Sequence, residues 1–202
     1  MKKVKEYKKL NSFDKLNIKN QKDNLTIINK INNILNNKTY FENLSTEQIK
    51  VLDIVKKDLL IKEHVDLNRF KLSKHVVEEI KSIDENKIPL YLFHRYRYEM
   101  FPELKILDEF PPYLQIEPSS ICNYRCVFCF ETDKSFTNKK NGYMGTMKLD
   151  LFKKVIDQAE NNIEFLSIAS RGEPLVSKEI IPMLRYIEGK FLNLKLNTNA
   201  SL

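Results

Sequence analysis

Beyond Pro111-Pro112 the chain alternates strand, helix, strand, helix, strand, and no other feature of the sequence limits its fold so tightly. Tyr113-Leu-Gln-Ile-Glu117 reads as a short strand. Lys148 to Glu160 reads as an amphipathic helix with Leu149, Phe152, Val155, Ile156 and Ala159 facing inward. Ile163 to Ala169 is a buried strand, Lys178 to Glu188 a second helix, and Leu192 to Asn197 a third strand. Strands separated by helices predict a parallel α/β sheet. In such sheets the chemistry gathers at the carboxyl ends of the strands. Three segments fall there: the loop after the first strand, Arg171-Gly-Glu-Pro174 after the second, and Thr198-Asn199 after the third. All three are expected on one rim.

The loop after the first strand holds every cysteine of the chain, Cys122, Cys126 and Cys129, in the run Cys-Asn-Tyr-Arg-Cys-Val-Phe-Cys. Three thiolates on one short loop can bind three corners of an iron–sulfur cube and leave the fourth iron open to another ligand. An ordinary ferredoxin site needs a fourth cysteine. A structural zinc also needs four ligands. Only His64, His75 and His94 could complete a zinc set, and all lie upstream. Paired Cys-x2-Cys units, the usual zinc signature, are absent. An odd number of cysteines crowded into one loop argues against a disulfide framework. It favours reduced thiols and a cytoplasmic setting.

With 42% hydrophobic residues in 202 the chain can bury a core, and its length allows one or two domains. No apolar run approaches the roughly 20 residues of a membrane helix. The basic start Met-Lys-Lys-Val-Lys is followed by no apolar stretch, so export is not expected. The net charge of +7 reflects lysines concentrated in the first 75 residues. No recognition motif accompanies them, so nucleic acid is not an expected partner.

Upstream of the prolines the pattern is helical. Ile27, Ile28, Ile31, Ile34 and Leu35 share one stripe. Ser45 and Gln48 form a capping box flanked by Leu44 and Ile49, opening a helix that buries Leu52, Val55 and Leu59. A third helix over 72–83 groups Leu72, Val76, Ile80 and Ile83. The first 22 or so residues read as a loose arm. Tyr91 to Phe101, rich in aromatics, reads as packing surface, with a substrate or nucleic-acid surface as the sharper alternative. Asn141 to Gly145 reads as a solvated loop or a flap over the rim.

Cys122-x3-Cys126-x2-Cys129, with Phe128 before the last cysteine, resembles the cluster motif of the radical S-adenosylmethionine (radical SAM) superfamily. Gly172-Glu173-Pro174 is similar to its second motif, usually Gly-Gly-Glu-Pro, and Thr198-Asn199-Ala200 to a Thr-Asn-Gly found after the third strand. Arg171 stands where a glycine is common, and Ala200 replaces another. The resemblance covers about residues 113 to 202.

The resemblance implies that Cys122, Cys126 and Cys129 ligate a [4Fe–4S] cluster whose open iron chelates S-adenosylmethionine. One electron then cleaves the sulfonium, and a 5′-deoxyadenosyl radical abstracts hydrogen from a substrate, the cofactor supplying the hard chemistry. It places the backbone near Phe128 by the adenine, gives Gly172 a close approach, sets Glu173 against the methionyl ammonium, and adds Asn199 to the cofactor site. It implies no catalytic residue beyond that site. It also implies an electron donor such as flavodoxin or ferredoxin and an unidentified substrate, peptide, carbohydrate or other. The expected architecture is a partial (βα) barrel of about three βα units, residues 111–202, preceded by a mainly α-helical region, residues 1–110. Six units are usual, so a fragment of a longer enzyme is expected. The competing reading is a non-catalytic, basic helical binding module stabilised by a zinc or iron–sulfur clip.

Overall fold

The computed structural model describes residues 21–61 and 68–202. The proposed N-terminal arm therefore lies almost wholly outside the described residues, as does His64. The described residues form two compact units divided between Tyr96 and Arg97.

In the first unit, α1 (Gln21–Asn36) packs against α2 (Thr46–Leu60) and α3 (Lys74–Ser82). The expected stripe of α1 is buried at Ile27, Ile31, Ile34 and Leu35, while Ile28 is only half-buried. Helix α2 starts at the capping box: Ser45 Oγ accepts the Gln48 N–H at 3.2 Å, and Gln48 Oε1 accepts the Ser45 N–H at 2.7 Å. Two of the orphan donors that every helix start leaves are thereby satisfied. Leu52 and Val55 are buried as expected, Val51 joins them, and Leu59 is half-buried. Helix α3 buries Val76, Val77 and Ile80, with Leu72 and Ile83 just outside its ends. Helix α4 (Ile88–Leu104) carries the aromatic run, and Tyr91, Phe93, His94 and Tyr96 on it are buried.

The second unit holds a three-stranded parallel sheet in the order β1-β2-β3: Tyr113–Ile116, Phe165–Ile168 and Asn193–Leu196. Between the strands run α5 (Leu149–Ala159) and α6 (Ile180–Tyr186). Each regular element of this unit is shorter than its sequence pattern suggests, by one or two residues at an end, although the Ala169 and Asn197 N–H groups still pair across to the Ile116 and Ile168 carbonyls. The mixture of helix and small parallel sheet is the α/β pattern expected, and the sheet is open. Alternation along each strand sends Ile116, Leu166 and Ile168 to one face. There they pack with Phe152 and Ile156 of α5 and Ile180 and Met183 of α6. Burying side chains of this size is worth about 2 kcal/mol each. The other face carries the register row Gln115, Ser167 and Lys195. Among the described residues no helix is long and apolar enough to cross a membrane.

Arg97 fastens the amino end of this unit. Its guanidinium donates to Asp108 Oδ2 at 2.7 Å, to the Phe110 carbonyl at 2.7 Å and to the Asn162 carbonyl at 3.2 Å. The side chain is buried at 7% exposure and the Asp108 side chain lies at 21%. Removing one partner of such a pair leaves a buried charge and two carbonyls unmatched. Arg97→Ala is expected to cost about 3 kcal/mol. Urea unfolding is the check, and a loss within about 0.5 kcal/mol, the size of an ordinary surface change, would contradict this role.

Candidate metal centre

The site is built where β1 ends. Ser119 and Ser120 are buried there, and they sew the 142–147 loop to the strand exit. Ser120 Oγ accepts the Gly145 N–H at 2.7 Å, and the Ser120 N–H donates to the Gly145 carbonyl at 3.0 Å. Ser119 bridges Thr146, and the Met147 N–H reaches the Pro118 carbonyl at 2.8 Å. The segment 141–145, which the sequence offers as a solvated loop or a flap, is largely exposed yet tied at its far end.

The cysteine loop follows. Cys122, Cys126 and Cys129 are free and half-buried. The Tyr124 N–H donates to Cys122 Sγ at 3.4 Å, and the Cys129 N–H closes a turn on the Cys126 carbonyl at 2.9 Å. Val127 and Phe128, at 94% and 90% exposure, project into solvent between the last two cysteines. Arg125 Nη1 donates to the Cys122 carbonyl at 2.8 Å and to the Tyr124 carbonyl at 2.7 Å. Among the described residues, no three His, Cys, Asp or Glu side chains converge on one point as a finished metal site. The donor set still fits a cluster: three free, half-buried thiols on one loop. Of the histidines weighed for zinc, His75 pairs with Glu79 at 3.1 Å on α3, and His94 is buried on α4.

Beyond β2 the chain turns sharply, and Ser170 takes a φ of 146°. Gly172 then passes so close to the β1 exit that a Cβ would lie 1.9 Å from the Ser119 carbonyl oxygen and 2.8 Å from the Ser120 carbonyl carbon. The Glu173 N–H completes the junction by donating to the Ile121 carbonyl at 3.0 Å. The close approach that Gly172 permits in this structure is to the chain's own backbone.

Glu173 is 2% exposed, so it is not a surface carboxylate. Its Oε1 accepts the Thr198 hydroxyl at 2.6 Å and the Leu175 N–H at 3.0 Å, and its Oε2 accepts the Asn199 N–H at 2.7 Å. An ionised carboxylate offers about four acceptor sites, which leaves about one for a further donor. Burial pushes this carboxyl's pKa up, but the Asn199, Thr198 and Leu175 donors together outweigh it. The net result lies below the usual value near 4.5. A depressed folded-state pKa stabilises the fold above the unfolded value, and that stability is lost as pH falls through the folded value. Glu173→Gln is therefore expected to lower stability at neutral pH and to flatten the loss on acidification. Urea midpoints at about pH 7 and about pH 4 check this, and parallel curves for variant and wild type would refute it.

Thr198 and Asn199 leave β3 on the same rim. Asn199 Nδ2 donates to Asn123 Oδ1 at 3.0 Å and lies 3.9 Å from Cys122 Sγ. Asn123 Nδ2 in turn reaches Ser201 Oγ at 2.8 Å. Ala200 sits at φ 54°, in the left-handed region that glycine enters at no steric cost, which explains why a glycine suits that position. The structure thus gathers Cys122, Gly172, Glu173 and Asn199, whereas the Phe128 side chain points away into solvent. Sequence reasoning missed Ser119, Ser120, Arg125, Glu117 and Glu131. None follows a periodic pattern, and only the proximity of Arg125 and Glu131 to the cysteines hinted at them.

No family model matches the chain. Over 92 residues it is 32% identical to the tungsten-containing aldehyde ferredoxin oxidoreductase cofactor-modifying protein of Pyrococcus furiosus, covering 45% of this chain and 24% of that protein. Over 93 residues it is 32% identical to the GTP 3′,8-cyclase of Campylobacter lari, covering 45% of this chain and 28% of that enzyme. The matches thus span about a quarter of the length of these curated relatives. A solved structure, BtrN in complex with AdoMet and 2-DOIA, aligns with 48% of this chain and 39% of its own, at 20% identity and a TM-score of 0.41. Over this part of its length the chain is related to the radical S-adenosylmethionine proteins.

Proposed function

We propose that residues 111–202 form the N-terminal half of a radical SAM core, in which Cys122, Cys126 and Cys129 hold a [4Fe–4S] cluster. One observation carries the reading: the loops leaving three parallel strands meet on one rim, through Asn199 beside Cys122 and through Glu173 beneath Asn199. A cluster held there would supply the electron for reductive cleavage of a carbon–sulfur bond of S-adenosylmethionine, which would release methionine and a 5′-deoxyadenosyl radical able to take hydrogen from substrate. The chain's own residues bind and orient. Three cysteines are one ligand short of closing a cube and would leave one corner open to S-adenosylmethionine. The spare acceptor site of Glu173 suits an ammonium group. The Asn199 amide suits an acceptor atom once it leaves Asn123. Gly172 keeps the second loop pressed on the first, and the backbone near Phe128 is proposed to flank the adenine.

The remaining strands of a barrel, most of the substrate pocket and the electron donor, such as flavodoxin or ferredoxin, belong to the same proposal. So do a cytoplasmic setting, where thiols stay reduced, and a separate role for residues 1–110. The test is anaerobic reconstitution of the 202-residue chain with iron and sulfide, followed by an absorption spectrum and a metal count. About four irons per chain are expected, with three cysteine ligands per cluster. Zinc uptake with no cluster would overturn the reading.

A further inference from the structure

Glu131 lies two residues past Cys129 in the short 3-10 turn Phe130–Thr132. It is 1% exposed, and neither carboxylate oxygen accepts a hydrogen bond among the described residues. Burying a carboxylate without donors is costly, so a fold either sets it beside a cation or keeps it protonated. Arg125 is such a cation, with Nη1 3.5 Å from Glu131 Oε2. The same nitrogen holds the Cys122 and Tyr124 carbonyls. One guanidinium thus ties the start of the cysteine loop to the segment after its end.

A second pair stands beside the first. Arg171, leaving β2, donates from Nε and Nη2 to Glu117 Oε2, both at 3.3 Å, at the end of β1. Its guanidinium also lies 4.2 Å from the centre of the Phe136 ring, which stacks on Tyr143. The other Glu117 oxygen is buried without a donor. Burial is the largest influence on the Glu131 carboxyl and holds it above its ordinary value; Arg125 draws it down, and Glu117 and Arg171 act on it in opposite directions. With all four groups ionised, two carboxylates meet two guanidiniums and the sum is zero. A glycine at 171, the residue common in the related motif, would leave one buried and one half-buried carboxylate facing one cation.

We propose that Arg125, Glu131, Glu117 and Arg171 form a charge-balanced quartet that holds the cysteine loop in its cluster-receiving shape. Arg125 and Arg171 are positioning residues, not ligands. This rests on the reading of the loop as a cluster site, and the experiment separates the two. In the full 202-residue chain, Arg125→Ala, Arg125→Lys, Glu131→Gln and Arg171→Gly are compared with wild type. The first readout, on metal-free protein, is the rate at which iodoacetamide alkylates each cysteine, resolved by mass spectrometry. The second is iron bound after anaerobic reconstitution.

Arg125→Ala, Glu131→Gln and Arg171→Gly are expected to speed alkylation of at least one cysteine by roughly threefold, the scale of a half-exposed ion pair. Each should also lower iron uptake, while Arg125→Lys, which keeps the charge, stays nearer wild type in both. Unchanged alkylation and iron in Arg125→Ala and Glu131→Gln overturn the quartet, as does Arg125→Lys behaving no better than Arg125→Ala. Should Arg125→Ala not fold, the cycle of Arg125→Gln, Glu131→Gln and the double variant carries the test. A double loss smaller than the sum of the singles supports the pair, and an additive loss overturns it. Wild type that takes up no cluster, with alkylation still sensitive to these variants, removes the cluster reading and keeps the quartet.

Discussion

Alanine at position 172 is expected to be among the most damaging single-methyl additions this chain can receive. The added Cβ would sit 1.9 Å from the Ser119 carbonyl oxygen and 2.7 Å from its carbon, inside any permissible contact. Both neighbours are backbone, and backbone cannot rotate away as a long side chain can. Ser119 is moreover fixed by its bridge to Thr146, and Ser120 by its pair with Gly145. The β1 and β2 exits must therefore separate, breaking the Glu173 N–H bond to Ile121 and shifting Glu173 from Asn199. Overpacking of a well-filled site costs about 1–3 kcal/mol, and a clash with two pinned backbone segments belongs at or beyond the upper end. Thermal and urea unfolding of Gly172→Ala measure the loss. A destabilisation below about 1 kcal/mol would falsify the claimed junction, because relaxation that cheap means the two loops do not need to touch.

Replacing any one of Cys122, Cys126 or Cys129 with alanine is expected to remove the site-differentiated [4Fe–4S] cluster altogether. Three ligands leave no redundancy, since the chain holds no fourth cysteine. The fold should tolerate the change, since all three side chains are only half-buried and none belongs to the packed face of the sheet. The measurements are iron and sulfide per chain, the absorption of the reconstituted protein and the spectrum of its dithionite-reduced form. Wild-type iron content with an unchanged reduced spectrum in any single variant would show that the missing sulfur was not a ligand. A parallel loss of far-UV circular dichroism would mean that the cysteine acts on folding instead of on the metal.

Much of this could be read from residue order, because periodicity is a local property. The α1 stripe, the Ser45–Gln48 capping box and the inward face of α5 depend only on neighbours three or four positions away. The strands at 113–116, 165–168 and 193–196 show themselves by short apolar runs between breaks. Their ends fall up to two residues inside those runs, as boundaries commonly do. The Tyr91 to Phe101 run was legible as aromatic, but that Tyr91, Phe93 and Tyr96 are buried while Tyr98 is exposed is a fact of packing.

The chain order by itself determined that three breaks, at 122–129, 171–174 and 198–200, follow three successive strands. With parallel pairing that is enough to bring them to one rim. Tertiary structure alone decided what each residue does there. It made the close approach at Gly172 a contact with the chain's own backbone, because the two exits run close together. It buried Glu173 and used three of its acceptor positions to hold the β3 exit. It also set Glu131 out of water between charges that come from positions 117, 125 and 171. Charge balance of that kind is a sum over residues distant in sequence, and no window along the chain contains all of its terms.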